Sequence, residues 1–107
     1  MRTTSMLLVV SLLFSMSAGA DCVLPAPPSH IPDGHSASEQ EMKSAMHTLQ
    51  QYNDDVEEYM KCLQFRQRRN LISFGDEEKG RSLAVDSLAT VVGHFNEQVR
   101  IFKSRHS

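Results

Sequence analysis

What the sequence lacks narrows the field first. Tryptophan is absent and aromatic residues make up only 7% of the chain, which excludes a large core built on ring packing. There is no Gly-x-Ser-x-Gly, no phosphate-binding loop and no Cys-x-x-Cys, so the common sequence signatures of nucleophilic, nucleotide-dependent and dithiol chemistry are missing. Basic residues do not outnumber acidic ones, and a formal charge of −2 gives no general affinity for nucleic acid or anionic lipid. No apolar run approaches the ~20 residues that span a bilayer. The run from Met6 to Met16 stops at eleven.

That short run is informative in itself. Arg2 precedes it and Ala18-Gly19-Ala20 follows, an arrangement that predicts a secretory signal over residues 1–20, cleaved near Ala20. The expectation is a periplasmic or secreted chain starting near Asp21, with no membrane insertion after processing. With residues 1–20 set aside, ten basic residues face thirteen acidic ones, a charge of −3. Apolar residues then fall to roughly 36% of the remainder, lean for a globular domain. A single small domain with so thin a core calls for a staple or a partner.

From Ser38 to about residue 71 the apolar positions fall on one helical stripe. Met42, Leu49, Val56 and Leu63 recur every seven residues, with Ala45, Tyr52 and Tyr59 between them and Met46 and Met60 alongside. Lys43, Gln50, Asp54, Glu57 and Lys61 form the wet face. Ser38 followed by Glu41 fits a capping box. Arg66, Arg68 and Arg69 suit a helix C-terminus, and Gly75 is the expected stop or turn.

A second stripe, Leu83, Ala84, Val85, Leu88, Val91, Val92, Phe95, Val99 and Phe102, predicts a helix over about 77–104 that covers the first. Asp76, Glu77 and Glu78 stand at its start, Lys103 and Arg105 at its end. A connection over Leu71–Asp76 is short enough to force the helices antiparallel. This sets Arg66–Arg69 near Asp76–Glu78, and Glu39 and Glu41 near Lys103 and Arg105. Gly93, costing up to about 1 kcal/mol inside a helix, is expected to mark a close approach of helix or arm.

All four prolines lie in residues 21–37, predicting an extended arm with a turn at Ile31-Pro32-Asp33-Gly34. Helix from Ser38 to Cys62 covers about 36 Å at ~1.5 Å per residue. The arm from Cys22 to Ser38 reaches about 50 Å at ~3.1 Å per residue, enough to return along the helix. Two cysteines in an exported chain pair most simply as a Cys22–Cys62 disulfide; intermolecular bridges in a dimer and a free thiol pair are the alternatives. The fold class is therefore all-α, an antiparallel two-helix hairpin with the proline-rich arm folded back along the first helix.

Cys22 with its prolines, Ile31-Pro32-Asp33-Gly34, Ala37-Ser38, Glu41-Met42, Tyr52, Tyr59, Cys62-Leu63, Phe95-Asn96, Val99-Arg100 and Phe102-Lys103 together resemble a group of small, exported, uncharacterised proteobacterial proteins. The similarity runs over nearly all of the chain after residue 20. It implies export and a two-helix shape, and carries no site or activity.

Three features bear on function. Met42, Met46 and His47 are soft-metal ligands in type, although methionines on an apolar stripe are ordinarily core fillers. Asp54, Asp55, Glu57 and Glu58 lack the Glu-x-x-His partners of a di-iron site and read as a solvated face. Phe65, Leu71, Ile72, Phe74 and Ile101 fall off or beyond the main stripes and are candidates for a partner surface. The expectation is a chain without cofactor or catalysis, a binding or structural module that pairs with itself or with an envelope protein. Soft-metal binding through Met42, Met46 and His47 is the alternative.

Overall fold

A computed structural model describes residues 21–106. The expected signal segment 1–20 lies outside them. Two helices, α1 (Glu39–Arg68) and α2 (Phe74–Arg105), carry the fold. They run antiparallel, since Leu63 meets Gly80, Tyr52 meets Ser87, and Met42 joins Phe95. The core is two small clusters along the seam. Tyr52, Val56, Ala84 and Val91 form one, and Ala37, Met42 and Phe95 the other. Val56 is wholly buried, and the Tyr52 hydroxyl meets the Ser87 hydroxyl at 2.8 Å.

The start of α1 follows the sequence signal. Ser38 is the N-cap, its Oγ accepting from the Glu41 N–H at 3.1 Å, the forward bond of a capping box, while its hydroxyl donates to Glu41 Oε1 at 3.2 Å. The connection differs from expectation. Asn70, at φ 56°, stops α1, its N–H bonding the Gln67 carbonyl while the Leu71 N–H bonds the Arg66 carbonyl. These are the two bonds of a Schellman motif, with asparagine tolerating the left-handed position glycine usually fills. Gly75 is thus not the stop but lies in the first turn of α2. Ser73 caps that helix by accepting from the Asp76 N–H at 3.0 Å, which moves its start three residues ahead of the predicted 77.

The arm carries no helix or strand over residues 21–33. It is joined to α1 through a Cys22–Cys62 disulfide with a Cα–Cα distance of 5.8 Å. Pro25 and Pro28 are half-buried, Pro32 is buried, and Ile31 packs on both core clusters. The turn sits two residues later than the sequence pattern predicts. Asp33 takes its N-terminal end, its carbonyl accepting from the N–H groups of Ser36 and Ala37 and its carboxylate from the His35 N–H at 2.9 Å. A short acidic side chain able to bond the backbone two residues on outweighs the proline in setting the turn position.

That turn is clamped onto the far end of α2. Gly34 donates its N–H to Gln98 Oε1 at 2.8 Å, and a Cβ at Gly34 would collide with the Gln98 carbonyl. The Arg105 guanidinium donates to the carbonyls of His35 and Ala37. Arg105 therefore serves the arm's main chain, not the Glu39 and Glu41 carboxylates that the charge pattern put beside it. At the opposite end Arg66 pairs with Asp21 of the arm at 3.2 Å. Close approach falls on Gly80, where a Cβ would meet Leu63 Cδ1 and the Tyr59 hydroxyl at 2.8 Å; around Gly93 there is open space.

Candidate functional site

Two antiparallel helices leave a groove on each side of their seam, and the arm lies along only one, bordering a cavity of about 550 Å³ there. On the arm's side stand Glu41, Ser44 and Thr48 of α1 beside Pro28–Pro32, with Cys62 and Arg66 further along the same face. The other side is open. Met46, Leu49, Gln50, Asn53 and Asp54 of α1 face Val92, Phe95 and Asn96 of α2 across a groove of about 550 Å³. A separate, smaller pocket nearer the turn is lined by Met60, Gln64 and Arg81. Val85, two helical turns before Val92 on the same stripe, is 45% exposed, and Met46 is 49% exposed. Floor residues Leu49 and Phe95 belong to the core, so the groove is apolar at its base and polar at its rim.

The candidate metal residues sit in different surroundings. Met42 is packed against Ala37 and Phe95 in the core, Met46 lies on the open groove, and His47 lies exposed among Gln40, Lys43 and Ser44 on another face. Among the described residues no three His, Cys, Asp or Glu side chains stand close enough together to hold a metal ion.

The partner-surface candidates divide. Phe65, Leu71 and Phe74 are 55%, 58% and 68% exposed at the hairpin tip. Ile72 is half-buried beside them. Ile101 is elsewhere, half-buried at the far end of α2, where its Cβ lies close to the Gly34 position. Met46 and Val85, the exposed apolar residues of the open groove, were on the stripes and so read as core. The signal that separates them is phase, since both sit at the stripe's edge away from the arm.

Electrostatics at the sites is local. Lys43 pairs with Glu39, Lys61 with Glu58, Arg81 with buried Glu77, and Arg100 with Glu97, all within one helix turn. Asp33 is held below the usual aspartate pKa, first by the His35 N–H and then by the His35 ring, both bonding its carboxylate. Among the described residues no helix is long and apolar enough to cross a membrane. Comparison with protein-family models, curated proteins and solved structures finds no match to this chain.

Proposed function

We propose that the chain is exported to the periplasm or beyond and works there as a small, non-enzymatic binding or structural module through helix-mediated association. One observation carries the reading: the arm covers one side of the helix seam, and the other side keeps a groove with exposed Met46 and Val85 over a core floor. A third helix laid in that groove, from a second copy or from a larger envelope protein, would cover what the hairpin leaves open.

The test is sedimentation velocity on oxidised residues 21–107 beside capture from an envelope extract, with Met46→Asp/Val92→Asp as the comparison. Concentration-dependent dimer, or a partner retained by wild type and lost by the variant, is the expected outcome. A monomer at high concentration that retains nothing contradicts the proposal.

A further inference from the structure

The hairpin tip presents a second apolar feature that the groove does not explain. Along α2 it lies about 27 Å from Val92, at ~1.5 Å per residue, so the two surfaces stand or fall separately. Three large apolar side chains, Phe65, Leu71 and Phe74, are each more than half exposed within ten residues of chain. They are held on a defined turn. The Schellman bonds fix Leu71, and the Ser73 cap fixes Phe74 as the first residue of α2. In that motif the residue after the left-handed position often packs on an apolar side chain five or six positions earlier. Those positions are Arg66, whose guanidinium is turned to Asp21, and Phe65. Leu71 nonetheless keeps 58% of its surface exposed.

Cations frame the display. Arg68 and Arg69 are exposed at the same end, and the Arg69 guanidinium lies 4.9 Å from the centre of the Phe65 ring. Asp76 and Glu78 offset Lys79 at the start of α2, so the net positive charge of the tip lies on the α1 side. The shape decides the partner. Three half-exposed side chains on a convex end offer about 300–400 Å². A flat protein partner needs roughly 800 Å² per side for a stable contact. A lipid surface closes around a convex wedge, and needs only apolar side chains to sink and cations to meet its phosphates.

We propose that the tip docks on a lipid surface, with Phe65, Leu71 and Phe74 entering the headgroup boundary and Arg68 and Arg69 favouring anionic headgroups. This is peripheral attachment by side chains, with both helices remaining outside the bilayer.

Flotation of oxidised residues 21–107 with phosphatidylcholine vesicles, and with vesicles containing about one-third phosphatidylglycerol, tests it. Wild type floats with the anionic vesicles. Leu71→Asp/Phe74→Asp weakens flotation at least about tenfold. Arg68→Gln/Arg69→Gln removes the anionic preference, a change of about 10- to 30-fold that also fades with salt. Met46→Asp/Val92→Asp leaves flotation as in wild type. Because the chain has no tryptophan, Phe74→Trp reports directly, with blue-shifted emission on adding anionic vesicles. Absence of flotation with either vesicle overturns the proposal, as does an acidic tip variant that floats like wild type. Loss of self-association without loss of flotation in that variant also overturns it, and assigns the tip to a protein contact.

Discussion

Replacing both cysteines in Cys22→Ser/Cys62→Ser opens a loop whose ends are 40 residues apart. On the chain-entropy relation, closing such a loop stabilises the fold by about 4 kcal/mol at 25 °C. With an unfolding entropy of ~2.1 cal/mol/K per residue over about 87 residues, that becomes a fall in Tm of about 20 °C. The structure also shows what changes locally. Val23 and Leu24 are exposed, and the arm first reaches the core clusters at Ile31. Residues 22–30 therefore detach, while Ile31–Ala37 stays docked through Gln98 and Arg105. Thermal melts followed by circular dichroism at 222 nm, on wild type with and without reductant and on the double variant, measure the shift. A fall in Tm of under about 5 °C would refute the reasoning, because the staple would then add little to the small core.

Two glycines give opposite expectations under the same substitution. Gly93→Ala meets open space and stabilises by up to about 1 kcal/mol through helix propensity, read as a higher urea midpoint. Gly34→Ala drives a methyl into the Gln98 carbonyl and the Phe102 nitrogen, and costs on the order of 2 kcal/mol while loosening the arm's turn. Asp33 sets a pH dependence of that turn. Its pKa is lower folded than unfolded, so its contribution is complete above the usual aspartate range and is lost as pH falls through the folded value. Amide protection at Ser36 and Ala37, whose N–H groups bond the Asp33 carbonyl, taken relative to the intrinsic exchange rate at each pH, is expected to fall on acidification in wild type and to stay constant in Asp33→Asn.

Much of the architecture was legible because it rests on periodicity and compartment. Met42, Tyr52, Val56 and Leu63 are the buried residues of α1, and all four lie on the heptad stripe. The Cys22–Cys62 tie follows from two cysteines in an exported-type sequence and an arm long enough to return. What stayed hidden depends on geometry that spacing does not encode. Asn70 ends α1 because it tolerates a left-handed backbone, and nothing in its neighbours distinguishes it from Gly75 as a stop signal. Ser73 followed by Asp76 resembles the Ser38–Glu41 cap and marks the true start of α2, but the chain around it reads as a connection. Gly80 and Gly93 look alike in sequence, and only the facing Tyr59 and Leu63 show which of them is needed.

The candidate surfaces were half legible. Phe65, Leu71 and Phe74 stand out because they leave the stripe. Met46 does not, because an edge position on a helix becomes core or surface according to which side a third element takes. Here the arm takes the Thr48 side and leaves Met46 uncovered. The same asymmetry leaves Met42 buried and Met46, one helical turn on, exposed.

The docking of the arm against one side of the hairpin is what defines the open groove, and Ile31 reports on it most directly. A nuclear Overhauser experiment on oxidised residues 21–107 is expected to connect the Ile31 methyls to side chains of both core clusters, since Ile31 packs on each. Ile31 methyls with random-coil shifts and no contact to either cluster would contradict the account.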